Sequence, residues 1–142
     1  MSGPREQIYA ALFARVSTAA SFVTATRRIK EYADVDQATQ PAILQVELGE
    51  KWAEPGVPPQ AIVLRAKLFL YCESSDPTTP VATAINELMD AVVAALAPPD
   101  IEERQTLGGL VYSAAIAGEV TIAEGLSGQS EVAIPIEIML GA

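Results

Sequence analysis

The chain has no histidine. It therefore lacks the usual general base near neutral pH and the commonest metal ligand. A Ser–His–Asp or Cys–His arrangement cannot be assembled from it. A single cysteine, Cys72, excludes an intrachain disulfide and any zinc site built from several thiolates, which fits a reducing compartment. Aromatic residues make up only 6% of the chain. No apolar run approaches the ~20 residues needed to span a bilayer as a helix. The apolar stretch Ile8 to Ala14 is interrupted by Arg15 and does not follow the pattern of a signal peptide, so a soluble cytoplasmic product is expected. Basic residues are also scarce. Nine Lys and Arg against eighteen Asp and Glu give a net charge of −9, with a pI near 4.4. A surface of that sign repels phosphate and argues against duplex binding driven by Lys and Arg. The only adjacent basic pair is Arg27-Arg28, with Lys30 just after it.

What the chain does have is aliphatic. Half of its 142 residues are apolar and 19% are charged, and the mean hydropathy is +0.26. At this length one domain over residues 1–142 is expected, large enough to bury roughly two-thirds of its unfolded surface. Two sources of the apolar excess stand side by side: surface buried against other subunits, or an alanine-rich composition.

Periodicity places the elements. Ile8, Leu12 and Val16 recur every four residues, with Tyr9 and Phe13 beside them, and predict a helix from Pro4 to about Thr18. Proline suits its first turn. Ser21 to Ile29 is rich in β-branched residues and reads as extended. Lys30 to Gln40 is polar and reads as a loop, and Pro41 opens a strand from Ala42 to Leu48. Gly49 to Gln60 holds Gly49, Pro55, Gly56, Pro58 and Pro59, and is predicted to be a loop that carries Trp52. Ala61 to Cys72 is the strongest strand signal. Ile62, Leu64, Ala66, Leu68 and Leu70 share a core face; Val63, Arg65, Lys67, Phe69 and Tyr71 share a mixed face that is either half wet or turned to a neighbour. Thr79-Pro80 starts a helix through Val81, Ile85, Leu88, Met89, Val92 and Leu96, which Pro98-Pro99 ends. Leu110 to Ile116 and Glu119 to Ala123 are extended and joined or bulged at Gly118. Gly125 to Ser130 is a turn region. Val132, Ile134, Ile136, Ile138 and Leu140 form a last alternating strand. Pro135 within it lacks an N–H and requires an edge or a bulge. This order predicts an α+β fold: a largely antiparallel or mixed sheet of about five strands with two α-helices packed on it.

Local patterns that suggest chemistry have simpler readings. Cys72 ends an apolar strand with nothing nearby to lower its pKa, so a buried inert thiol is favoured over a nucleophile. Gly108-Gly109 is followed by no Gly-Lys-Ser/Thr, and a tight turn or the opening of a strand is favoured over a phosphate loop. Asp34 and Asp36 lack the glycine and glutamate that a calcium loop places at its sixth and twelfth positions. Glu102-Glu103 reads as a solvated pair. A glycosidase-like carboxylate pair is a matter of spatial separation that sequence does not give. No catalytic residue, cofactor or metal is expected.

Three groups of residues carry a resemblance. One is Phe22-x-x-x-x-Arg27-Arg28, followed after a polar loop by Gln40-Pro41-Ala42. A second is the long strand ending at Tyr71, then Thr79-Pro80 and a helix reading Asn86-Glu87-Leu88-Met89-Asp90-Ala91. The third is Thr106-Leu107-Gly108-Gly109-Leu110-Val111, then Gly118-Glu119, Glu124-Gly125 and Ile134-Pro135-Ile136. In order and spacing, from Phe22 onward, the chain resembles the tail-terminator (tail-completion, minor tail protein U-like) family of siphophages. The resemblance implies a non-catalytic structural protein of the virion tail, assembled in the host cytoplasm. It implies a homo-oligomeric ring, six copies being expected, that caps the tail tube and ends its polymerisation. The implied partners are the tail tube protein and the head–tail connector protein, with DNA only as passing cargo and no membrane. The acidic balance fits a DNA conduit, since negative walls limit sticking. The alternatives are another neck, head–tail connector or minor tail component, or a non-viral, non-catalytic binding module.

A ring of identical copies needs two different faces on each subunit. Candidate interface residues are Arg27, Arg28, Trp52, Glu54 and Tyr71. Trp52 and Glu54 lie in a proline-stiffened loop, and an aromatic there is a good anchor type; the competing reading folds Trp52 back onto its own core. Arg27 and Arg28 either pair with acidic residues of a neighbour or decorate a solvated strand edge.

Overall fold

The most strongly alternating segments of the chain meet at the centre of the sheet. The computed structural model describes residues 4–28, 40–52, 62–73, 81–99, 103–124 and 129–140. Within them lie α1 (Pro4–Ser17), β1 (Thr24–Thr26), β2 (Ala42–Lys51), β3 (Val63–Glu73), α2 (Val81–Leu96), β4 (Ser113–Ile116), β5 (Thr121–Glu124) and β6 (Gln129–Met139). β3 pairs antiparallel with β6 along its whole length, from Val63 opposite Met139 to Glu73 opposite Gln129. β2 flanks β3 antiparallel, and β1 adds to β2 in parallel. β4 and β5 both pair antiparallel with β6, at its two ends. The sheet order is β1-β2-β3-β6-β4, with β5 beside β4 on β6.

Two helices pack on this mixed, mostly antiparallel sheet, as the sequence predicts, and both take the same face. The period-two residues Leu64, Ala66, Leu68 and Leu70 of β3 and Val132, Ile134, Ile136 and Ile138 of β6 are almost wholly buried there. Ile8, Tyr9, Leu12 and Val16 of α1 and Ile85, Val92 and Leu96 of α2 close over them. α1 ends where the Thr18 hydroxyl donates to the Ala14 carbonyl at 2.8 Å. α2 stops at Leu96, with a tightened last turn (Ala97 N–H to Ala94 O, 3.3 Å) ahead of Pro98-Pro99. The opposite face of the sheet carries a small cluster of its own, in which Tyr71 is buried with Ala42, Leu44 and the partly buried Phe69.

The departures from the predicted boundaries have local causes. Of the stretch Ser21–Ile29, predicted to be extended, Thr24–Thr26 alone forms a strand among the described residues 21–28, anchored by Val23 N–H donating to the Pro41 carbonyl at 2.9 Å. β2 runs three residues past Leu48, to Lys51, where a loop is predicted. The register slips between Glu47 and Gly49, and Gly49 sits at φ +119°. Glycine here supplies the conformation a bulge needs and lets the strand continue. Most of Lys30–Gln40 and of Gly49–Gln60, together with Thr79-Pro80, lie outside the described residues.

The stretch from Leu110 to Ala123 gives two strands, which raises the predicted sheet of about five strands to six among the described residues. The break between them answers Pro135. In an antiparallel ladder a residue's N–H and C=O point to the same neighbour. The Pro135 carbonyl accepts from Ala117 N–H at 3.1 Å, so the donor that Pro135 lacks would face the β4–β5 junction. Gly118 sits there at φ +108°, and a Cβ on it would lie 3.4 Å from Pro135 Cγ. The proline thus occupies an interior strand at the one place where its outer partner is interrupted.

Two substitutions test this account by urea denaturation. Leu68→Ala, at a fully buried position, is expected to cost about 2–5 kcal/mol. Gly118→Ala is expected to cost about 1–2 kcal/mol through its backbone conformation; a neutral result would mean that the junction can rebuild itself with φ below zero.

Candidate interaction surfaces

Three places on the described surface combine exposure with defined chemistry. The first is the edge where the start of α1 meets the far end of β2. Arg27, just past β1, bridges two elements: its guanidinium donates to both carboxylate oxygens of Glu6 on α1 (2.6 and 3.0 Å) and to Glu47 on β2 (3.1 Å). Arg5 forks onto Glu50 of β2, with Nη2 to Oε2 at 3.0 Å. Trp52, directly after the strand, donates its indole N–H to the same carboxylate at 2.8 Å. Gln45 inserts behind these pairs and donates from Nε2 to the Tyr9 carbonyl at 2.9 Å. A cleft of about 390 Å³ lies between Arg27, Gln45, Val46 and Glu47. Leu48 and Trp52 are exposed beside it, Trp52 by 61%.

The second place is the Gln105–Val111 turn. Leu107, Gly108 and Gly109 have consecutive positive φ values of 51°, 76° and 90°. Two glycines make that run affordable. Gln105, almost fully buried, holds it in place: its Nε2 donates to the Ala97 carbonyl after α2 (2.9 Å), its Oε1 accepts from Leu107 N–H (3.1 Å), and its carbonyl accepts from Ala114 N–H of β4 (2.8 Å). The turn therefore couples the end of α2 to β4, and the tight-turn reading of Gly108-Gly109 holds. Beside it the Arg104 guanidinium lies 4.1 Å from the centre of the Tyr112 ring and donates to the Tyr112 carbonyl.

The third place is an open groove of about 600 Å³ between the second half of α1, Ala95 of α2 and Leu107-Gly108 of the turn. Its lining is small and apolar apart from Arg15 and Thr18. Arg15 reaches the Ala95 carbonyl at 3.4 Å and makes no ion pair among the described residues.

The candidate interface residues separate on these facts. Trp52 stands out from the surface and does not fold back onto the core. Arg27 is engaged inside its own chain by Glu6 and Glu47. Arg28 is exposed, with its backbone N–H on the Thr26 hydroxyl. Tyr71 is 3% exposed and offers little surface to a neighbour. Glu54 lies outside the described residues. The alanine groove was not foreseen: its residues come from three separate stretches, and alanine at helical spacing reads as ordinary packing. Cys72 is buried, and burial pushes its thiol pKa up, away from nucleophilic use. Among the described residues no group of three or more His, Cys, Asp or Glu could hold a metal, and no helix is long and apolar enough to cross a membrane. No protein-family model matches the chain, and no curated protein matches it significantly.

The ion pairs set a pH dependence. The hydrogen bonds from Arg27 hold the Glu6 carboxyl below its ordinary value, and those from Arg5 and then Trp52 do the same for Glu50. A carboxylate whose pKa is lowered by folding stabilises the fold above its unfolded pKa, and that stabilisation is lost as pH falls through the folded value. Both carboxylates are solvent-exposed, so the effect is small and screened by salt. Arg27→Gln is expected to melt at a lower temperature than wild type above the ordinary glutamate value of 4.5, and the gap should close as pH falls below it. Melting curves across that range check this; a gap unchanged at about pH 3 would assign the loss to packing instead.

Proposed function

We propose that the chain is a non-catalytic phage tail-terminator protein that assembles into a closed ring on the end of the tail tube. The observation that carries this reading is that residues underlying the resemblance are joints of the fold. Pro41 receives the strand that leads to Arg27. The Thr106–Val111 stretch is the left-handed turn between α2 and β4. Gly118 and Pro135 face each other across the break between β4 and β5. A set of residues that serves the same architecture from separate parts of the sequence supports shared descent better than the same residues scattered over a surface would. The sheet with two helices packed on it is the α+β fold that the order of elements predicts, and the reading is compatible with it.

The mechanism in this reading is competitive capping. The ring binds the last ring of tube subunits, lacks the face that recruits another, and turns its other side to the head–tail connector. Its net charge of −9 per copy suits a channel through which DNA passes without adhering. An acidic chain built this way needs no catalytic residue, cofactor or metal.

Light scattering at low and high protein concentration tests the reading. A discrete closed oligomer is expected, six copies by the family's precedent, with rings visible by electron microscopy. A monomer at every concentration would remove spontaneous ring formation, leave only assembly templated by the tube end, and raise a non-catalytic binding module to equal standing.

A further inference from the structure

We propose that Trp52 of one copy docks in the alanine groove of the next, as the anchor of a head-to-tail contact between identical subunits. This rests on the ring reading above and names the contact that would make the ring.

The two surfaces lie at opposite ends of α1. Trp52 is tied through Glu50 to Arg5 in the first turn of the helix. The groove begins at Ala11 and is lined by Ala14 and Arg15 from the later turns. Ten residues of helix separate Arg5 from Arg15, about 15 Å at 1.5 Å per residue. Trp52 therefore does not fill its own groove, and a contact between the two surfaces has to join different copies. Such a contact is heterologous: it closes into a ring or continues as a filament, according to the rotation between copies.

Their chemistry is complementary. The one donor of the indole is already satisfied by Glu50 at 2.8 Å, so burying the ring strands no polar group. What remains exposed is an apolar, aromatic face, the kind that buries ~150–250 Å² when docked. The groove presents Ala11, Ala14, Ala19, Ala95 and Leu107, short side chains that leave about 600 Å³. Arg15 at its rim is placed to lie over an aromatic face. Glu47 and Glu50 beside Trp52 are already paired with Arg27 and Arg5, so they do not repel the neighbouring copy as free charges, and Arg15 beside the groove makes no ion pair among the described residues. One tryptophan is far less than the ~1,200–2,000 Å² of a stable interface, so it acts as the anchor of a wider contact.

Cysteine cross-linking tests the geometry. Ala14→Cys and Lys51→Cys proteins are prepared separately, each at an exposed position and both keeping Trp52; the native Cys72 is buried, and the unsubstituted chain serves as the control. Under a mild thiol oxidant the mixture of the two should give a covalent dimer, whereas neither protein alone should. The doubly substituted chain should give a ladder of covalent oligomers ending at the ring size. Trp52→Ala, with an unchanged melting temperature, should raise the concentration needed for assembly by at least about tenfold. A closed oligomer that forms normally in Trp52→Ala and gives no cross-link in the mixture would overturn this contact and leave the ring reading standing. Cross-linking of each single variant with itself would also overturn it, by showing a two-fold contact. An unsubstituted chain that is monomeric at every concentration would overturn spontaneous ring formation and this contact with it.

Discussion

The pairing of β3 with β6 is the constraint on which the rest of the structure depends. Each residue of β3 has a partner on β6, so the inward side chains of the two strands form one continuous aliphatic surface from Leu64 and Ile138 to Leu70 and Val132. A shift of one residue would turn all of those side chains to the other face. The two helices can be placed only against this surface, and β2, β4 and β5 take their registers from its flanks. The far end of β2 and β5 lie beyond the reach of the helices, and there Leu48, Trp52 and Ile122 face solvent.

Polar groups within this frame act mainly as fasteners. Gln45 and Gln105 are both buried, and each ties one helix to the sheet side of the molecule, Gln45 at Tyr9 in α1 and Gln105 just after α2. Gln45 is the less complete of the two, since its Oε1 has no partner. Apolar contact alone would allow a helix to slide along an aliphatic sheet; a single buried hydrogen bond fixes its position, because leaving the group unpaired is costly. Arg27 and Arg5 repeat the arrangement at the solvent edge, where each link is weaker and depends on pH and salt.

The parts of this molecule legible in its sequence are those governed by periodicity. The core faces of α1, α2, β3 and β6 follow from spacing alone, because burial on one side imposes a period that nothing else in the chain imitates. Gly118 was legible as a joint and Pro135 as an anomaly, but not their apposition, which depends on a pairing between separate strands. Gly49 misled for a physical reason: glycine ends strands and also bulges them, and the choice depends on whether β3 continues alongside. The surface features were the least legible. Trp52 was visible as an anchor type, but its exposure is set by where β2 ends. Arg27 gave no sign that Glu6, twenty-one residues earlier, would take it up. The alanine groove has no signature in sequence because it is made by the absence of side chains.

The scarcity of cations has a consequence for assembly. Two of the nine basic residues, Arg5 and Arg27, are committed to holding α1 against β2, and Arg104 is stacked on Tyr112. Copies that each carry nine net negative charges repel one another at long range, and that repulsion falls off within a Debye length of ~8 Å at physiological salt. A contact between such copies gains most from apolar surface that needs no counter-charge, with a cation spent only where it also stacks. The α1 ends differ in this respect: one presents a tryptophan whose donor is already used, the other a hollow of small side chains beside an arginine without an ion pair among the described residues. Association through them would bury an aromatic face against small side chains at an edge whose carboxylates are already paired with Arg5 and Arg27. It would also leave the carboxylates elsewhere facing solvent, or a channel, where repulsion of phosphate is useful rather than costly.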